Sequence, residues 1–165
     1  MSKINISKPS LFIGIDPGKS GGIVVLGLDH VEDAIKMPAT PKDTLDVFNE
    51  YDSNKEKIMC MVEEVGSMPG NGVKALFTFG YGTGVLHTSL IANKIPFVLV
   101  KPKKWMAYYG LAKRSKESGT AWKNRLKSRA QMLFPDESVV LWNADAFLLA
   151  YYCRYVHGGI SSGEV

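Results

Sequence analysis

The stretch LFIGIDPG, residues 11–18, decides the fold because it combines a buried strand pattern, a carboxylate and an obligatory turn. The apolar run up to Ile15 predicts a strand. The Pro-Gly pair that follows Asp16 requires the chain to turn. Two further strand patterns follow at 22–28 and 31–37. Three strands joined by such short connections predict an antiparallel meander.

After the meander, the chain alternates between helical and strand patterns. The order predicts an α/β fold, with a mixed five-stranded sheet of antiparallel meander plus parallel strands, flanked by helices. We expect one domain over 11–157, with an N-terminal arm at 1–10 and a flexible tail at 158–165. Strand patterns cover 58–65 and 96–100, and helical patterns cover 41–51, 71–93, 103–111, 118–133 and 143–156.

Composition excludes several classes of protein. The 165 residues are 45% hydrophobic and 22% charged, which is typical of a soluble globular domain. No run of about 18 apolar residues predicts a membrane span, and the N-terminus has no signal-peptide pattern. Cys60 and Cys153 are far apart among apolar neighbours, so we expect two buried thiols in a reducing compartment, without disulfide or zinc.

Basic charge is concentrated in one segment. The net charge is +4, yet residues 101–129 hold ten Lys and Arg against the single acid Glu117, so this segment carries +9 and the remainder −5. Such a segment suits a polyanion partner, and a solvated helical face is the open alternative. The candidate phosphate contacts are Lys101, Lys103, Lys104, Lys113, Arg114, Lys123 and Lys127.

Three carboxylates fall at the ends of predicted elements. Asp16 closes the first strand, Glu63 lies near the end of a buried strand, and Asp145 opens the last helix. Hard oxygen ligands on separate elements are what Mg²⁺ or Mn²⁺ requires, and two such ions can drive phosphodiester hydrolysis. Three unrelated surface acids are the alternative. Adjacent strand residues face opposite ways, so only one of Glu63 and Glu64 can join such a site.

One motif is misleading. The run GIDPGKS at 14–20 is similar to a phosphate-binding loop, but it is one residue too short between its glycines. Pro17 also removes a backbone donor from the loop. An actin-like ATPase or sugar kinase would need two such domains, for which 165 residues leave no room.

Five blocks in order resemble one family, the RuvC-type Holliday junction resolvases, particularly their phage and organelle branch. The resemblance covers about residues 11–155. The blocks are IGIDPG at 13–18, VEEV at 62–65 with MPGNG at 68–72, Phe79-Gly80 with Gly84, Val100-Lys101-Pro102 with Trp105, and Ala130 and Leu133-Phe134-Pro135 with Ala144-Asp145-Ala146.

The resemblance implies an RNase H-like fold and a homodimer that makes paired nicks in opposing strands of a four-way DNA junction, using Mg²⁺ or Mn²⁺. It implies a DNA-associated protein of the cytoplasm of a bacterial or phage-infected cell. Asp16, Glu63 and Asp145 match the catalytic, metal-binding acids. Lys123 matches a lysine near the scissile phosphate, with Lys127 one turn further as the alternative.

The chain departs from the family at the fourth acidic position, a few residues before Asp145. Trp142 and Leu141 stand there, and neither binds a metal, while Asn143 offers only an amide oxygen. A non-catalytic protein that binds branched DNA is therefore the alternative function.

The helical segment 71–93 has two roles in this prediction. Its glycines at 80, 82 and 84 would let a partner helix approach closely, or else they mark a break between two shorter helices. The family places an aromatic wedge that stacks at the junction in this segment, where the chain has Phe77, Phe79 and Tyr81.

Overall fold

A mixed five-stranded sheet forms the centre of the protein, for which a computed structural model describes residues 8–51, 57–64, 66 and 72–158. The strand order is β3-β2-β1-β4-β5. The first three strands pair antiparallel, whereas β4 pairs parallel with both β1 and β5. This confirms the predicted sheet. The strands are β1 (Leu11–Ile15), β2 (Gly22–Leu26), β3 (Val31–Lys36), β4 (Ile58–Glu63) and β5 (Phe97–Val100).

Five helices accompany the sheet in the described part of the chain. Side chains at the N-termini explain where two of them begin: the hydroxyl of Thr40 accepts from the Asp43 N–H, and that of Ser118 from the Ala121 N–H, each at 3.1 Å. The helices are α1 (Pro41–Asn49), α2 (Val73–Ala92), α3 (Pro102–Tyr108), α4 (Gly119–Leu133) and α5 (Ala144–Gly158).

Each face of the sheet has its own core. Alternate residues of β1 divide between the faces: Ile13 packs in one core with Leu86 and Leu90 of α2, and Phe12 packs in the other with α5. Among the described residues, no helix is both long enough and apolar enough to cross a membrane.

Helix α5 lies directly on β1, and this contact positions the candidate site. A Cβ on Gly14 would stand 2.1 Å from the Ala150 amide nitrogen and 2.4 Å from the Ala146 carbonyl oxygen. The two backbones therefore touch because Gly14 has no side chain and the facing helix positions are alanines. The first turn of α5 is thereby held over the end of β1.

Several predicted bounds are wrong by a few residues. The predicted strand 22–28 ends at Leu26, because the chain turns through a bond from the Gly27 N–H to the His30 carbonyl. The strand 58–65 ends at Glu63, and α2 is one unbroken helix despite its glycines. Gly158, with which the predicted tail begins, is the last residue of α5.

At the end of the predicted arm, the Ser10 N–H bonds the Lys57 carbonyl at 2.7 Å. Residues 1–7 of the predicted arm and 159–165 of the predicted tail lie outside the described residues. The first four residues of the motif MPGNG, 68–71, also lie outside them.

Candidate active site

A row of residues crosses the sheet at the carboxyl ends of β1 and β4. Ile15 pairs with Val62 on one side and with Ile23 on the other, so Asp16 lies between Glu63 and Gly22. The Asp16 N–H donates to the Gly22 carbonyl at 3.0 Å. Side chains alternate along a strand, so Asp16 shares the face that α5 covers.

The turn after β1 leaves room for the Asp16 carboxylate. Its Oδ1 accepts from the Gly18 N–H at 3.1 Å, which holds the side chain over the turn. A Cβ on Gly21 would lie 2.7 Å from the Asp16 Cγ, so a larger residue there would displace the carboxylate. The DPG sequence therefore fixes both the turn and the orientation of the acid.

Glu63 and Asp145 are buried, whereas Asp16 is half-buried. Glu63 is 9% exposed and Asp145 only 2%. Burial, and next the charge of Asp16, raise the pKa of Glu63 to about 7. Burial also raises the pKa of Asp145, while Lys123 opposes the shift. The three carboxylates are therefore close enough to influence one another, and they are not three unrelated surface acids.

Trp105 positions Glu63. This tryptophan on α3 is fully buried, and its indole Nε1 donates to the Glu63 Oε1 at 3.0 Å. Glu64, the next residue, is exposed. Glu63 therefore lies beside the other acids and Glu64 does not. Nothing in the sequence signalled the bond from Trp105, because it joins residues that are distant along the chain.

Lys123 on α4 forms an ion pair with the Asp145 carboxylate. Burial alone would lower the pKa of Lys123, but Asp145, followed by Asp16 and Glu63, raises it above its ordinary value. An ammonium group therefore stands among the three acids. Of the two lysines considered from the sequence, the structure brings Lys123 to Asp145, and Lys127 lies one turn further along α4.

In this structure, the three acids are not arranged as the ligands of a metal ion. In the described ranges, no group of three or more His, Cys, Asp or Glu side chains is placed to hold an ion. The carboxylates face protein donors instead: Glu63 faces Trp105, and Asp145 faces Lys123.

The residue types nevertheless suit a divalent cation. The Asp145 Oδ1 is buried, and no described residue gives it a hydrogen bond. Three carboxylates exceed the single charge of Lys123, and hard oxygen atoms are the ligands that Mg²⁺ and Mn²⁺ prefer. A cation that bound here would satisfy the Oδ1 and relieve the repulsion between Glu63 and Asp16.

The position of the missing fourth acid is filled by packing. The ring of Trp142 lies against Gly22, where an added Cβ would stand 2.7 Å from the ring Cζ3. The Asn143 amide is engaged in its own loop, because its Oδ1 accepts from the Val140 N–H and its Nδ2 donates to the Ser138 carbonyl. The structure therefore directs neither side chain to the acids.

The predicted DNA contacts lie on several surfaces. Lys123 is among the acids, whereas Lys127 is half-buried further along α4. Phe77 and Tyr81 are 74% and 58% exposed on α2, and Phe79 is half-buried. The remaining basic residues are exposed before, on and after α3, namely Lys101, Lys103, Lys104, Lys113 and Arg114.

Part of the basic segment is neutralised internally. Arg125 donates from Nε and Nη2 to the Glu117 carboxylate, at 2.7 and 2.9 Å. These hydrogen bonds, together with one from the Arg114 backbone N–H, lower the pKa of Glu117 to about 2. The charges of this segment could be counted from the sequence, but the ion pair between Arg125 and Glu117 could not be predicted from it.

Comparison with known proteins establishes the type of fold. No protein-family model matches the chain, and no curated protein matches it. Solved structures with a similar fold include two of RuvC from Thermus thermophilus. RuvC from Thermus thermophilus in complex with a Holliday junction substrate has a TM-score of 0.62 and 14% identity, over 88% of this chain and 96% of that one. A further structure of Thermus thermophilus RuvC has a TM-score of 0.56 and 16% identity, over 89% of this chain and 97% of that one. The chain has the fold of RuvC, an RNase H-like mixed sheet flanked by helices.

Proposed function

We propose that this protein is a divalent-metal-dependent endonuclease that resolves four-way and other branched DNA junctions by paired nicks in opposing strands. One observation carries the proposal. Asp16, Glu63 and Asp145 come from three separate elements and converge with Lys123 at one end of a RuvC-like sheet. The similar RuvC in complex with a Holliday junction substrate supports branched DNA as the substrate class.

The roles of the residues follow from their chemistry. Asp16, Glu63 and Asp145 would hold Mg²⁺ or Mn²⁺, with two ions expected from the resemblance. The metal supplies an activated water and stabilises the leaving oxygen. Lys123 adds positive charge where the phosphate would become more negative. Trp105 orients Glu63 through its indole N–H.

The surroundings of the site fit a polyanion and a second copy of the chain. Exposed lysines follow β5 and continue on α3, the helix that also carries Trp105. These lysines would bind the phosphates of the duplex arms. Two nicks per junction require two sites, so the active form would be a homodimer. The blocks at 62–65 and 68–72 favour the phage and organelle branch of the family.

The Asp16→Asn variant tests the proposal most directly. Asparagine keeps the shape of the side chain but loses the charge that a metal ion needs. Cleavage of a synthetic four-way junction in Mg²⁺ should fall at least roughly 100-fold, while binding of the junction should persist. The matched control is Asp136→Asn, which changes an exposed acid on the loop after α4. Cleavage by Asp16→Asn at the wild-type rate would contradict the assignment.

A non-catalytic protein that binds branched DNA is the second candidate. It is favoured by Trp142, which fills the position of a fourth acid in the resembling family. The same assay separates the two functions. A wild-type protein that binds the junction tightly, but leaves it intact with Mg²⁺ or Mn²⁺, would support the second. A protein that does not bind junctions would contradict both.

A further inference from the structure

The row of residues that carries the acids continues beyond Asp16 to the outer strand of the sheet. Gly22 pairs with Lys36 of β3, so the row reads Lys36, Gly22, Asp16 and Glu63 across four strands. Gly22 contributes no side chain to this row. The Trp142 ring takes that space, and a Cβ on Gly22 would also meet its Cε3 at 2.9 Å.

Trp142 therefore lies on the same face of the sheet as Asp16, one strand away. Its ring lies over β2, directly beside the strand that carries Asp16. The Lys36 Nζ stands over this ring, 5.8 Å from its centroid. The close contact of the indole with the Gly22 backbone fixes its position before any ligand binds.

Trp142 and Lys36 are both accessible to a ligand. Trp142 is only half-buried, and Lys36 is exposed. Val140 and Leu141, which precede Trp142, are 40% and 53% exposed. Trp142 therefore keeps part of its surface open, unlike the fully buried Trp105.

From this arrangement we propose that Trp142 and Lys36 form a nucleotide subsite beside the cleavage site, in which the indole stacks on a base and the lysine binds the adjacent phosphate. The proposal rests on the proposed function, because it takes branched DNA as the ligand. It assigns a binding role to two residues that lie outside the acids and outside the basic segment.

The chemistry of branched DNA suits such a subsite. Bases at a branch point are more easily unstacked than bases within a duplex, so a base can be accepted on an aromatic face at low cost. Stacking tolerates any base because each has a π face. Lys36 would counter the repulsion between the incoming phosphates and the acids. The subsite therefore predicts affinity for the branch without strong sequence preference.

Binding of a four-way junction in EDTA tests the subsite without cleavage. Stacking on the indole should quench tryptophan fluorescence in the wild type, and Trp142→Phe should lose most of the quenching. Trp142→Ala should weaken binding by roughly 5- to 150-fold, the range for one stacked base, whereas Trp142→Phe should retain much of the affinity. Melting temperatures of both variants identify any loss caused by unfolding.

Lys36→Ala provides a second, independent measurement. Removing one phosphate contact should make the slope of log affinity against log salt shallower by about 0.9. The matched control is Lys57→Ala, which removes an exposed lysine just before β4, at the opposite end of the sheet. This control should leave the slope unchanged.

The possible results separate this inference from the proposed function. If wild type and Asp136→Asn cut junctions normally while Trp142→Ala and Lys36→Ala bind like wild type, the subsite is wrong and the proposed function stands. Quenching that persists in Trp142→Phe would also overturn the subsite. If the wild type binds no junction, both proposals fail.

Discussion

The pKa of Glu63 reports on the surroundings of its carboxyl group in the folded protein. Its carboxyl group is buried beside Asp16, and the indole N–H of Trp105 compensates only partly. In the metal-free protein, the pKa of Glu63 is raised from 4.5 to about 7. The folded state therefore keeps a proton that the unfolded state releases between these values.

The titration of Glu63 should make the metal-free protein less stable as pH rises from about 4.5 to about 7, while the lowered pKa values of His87 and His157 act in the opposite sense. A carboxyl whose pKa is raised on folding stabilises the protonated fold at low pH, and this contribution is lost as pH approaches the folded pKa. For Glu63 the loss is up to about 3 kcal/mol in the free energy of unfolding. Urea denaturation in EDTA across this pH range measures it.

Glu63→Gln should remove the contribution of Glu63 to this pH dependence, because glutamine does not titrate. Asp145 should still contribute a slope of the same sign as Glu63, since burial raises its pKa as well. Glu64→Gln is the matched control: this neighbouring carboxylate is exposed, and the slope should remain. Equal slopes in wild type and Glu63→Gln would show that Glu63 is not buried as described.

At the residue scale, the sequence predicted the acids better than their partners. Asp16 and Glu63 could be found because a carboxylate at the end of an apolar strand stands out against its neighbours. The bond from Trp105 and the ion pair of Lys123 depend on how α3 and α4 pack, which no local pattern contains. Trp142 was recognised only as a missing ligand, because its contact with Gly22 depends on the packing of α5 against the sheet.

At the scale of elements, the contact between β1 and α5 should leave no room for a methyl group added at Gly14. Gly14→Ala would place a Cβ within 2.1 Å of the Ala150 nitrogen. Backbone atoms cannot move aside as a flexible side chain can, so we expect a destabilisation of about 3 kcal/mol or more. Chemical denaturation measures it.

Gly82→Ala on α2 is the matched control, because its Cβ would meet nothing within 4 Å. Alanine favours a helix over glycine, so this variant should gain roughly 0.5–1 kcal/mol. A Gly14→Ala variant as stable as Gly82→Ala would contradict the close approach of α5 to β1.

Helix α2 shows why helix bounds could be predicted only in part. Its glycines favour a break by local propensity, yet Leu86 and Leu90 are fully buried against the sheet, and the helix runs unbroken from Val73 to Ala92. The strand patterns were more reliable because their apolar runs end at unmistakable turns, such as the one after Asp16.

For the whole molecule, the sheet order follows from connection lengths. Short turns force β1, β2 and β3 into a meander, and the longer crossovers through α1 and α2 allow β4 and β5 to pair in parallel. The site then arises where the strands end. The net charge of the basic segment was readable from composition, but the pairing of Arg125 with Glu117 required the fold.

The final prediction concerns the assembly of two chains. The proposed paired nicks need two sites, and one chain brings together one set of three acids, so a dimer with two-fold symmetry would match the junction. Helix α2 offers an open surface: added Cβ atoms on Gly80, Gly82 and Gly84 would meet nothing within 4 Å, and Phe77 and Tyr81 are exposed beside them.

The Gly84→Leu variant should therefore fold normally as a single chain, while its larger side chain should obstruct a partner helix. By light scattering, the wild type at concentrations of roughly tens of micromolar should have twice the mass of one chain. The measured mass of Gly84→Leu should be closer to that of a single chain. The same variant should lose paired nicks more than single nicks, because each isolated site stays intact. Ser128→Leu, an exposed position on α4, is the control and should remain dimeric. A wild type that stays monomeric even with junction DNA bound would defeat the dimer, whereas a dimeric Gly84→Leu would move the interface away from α2.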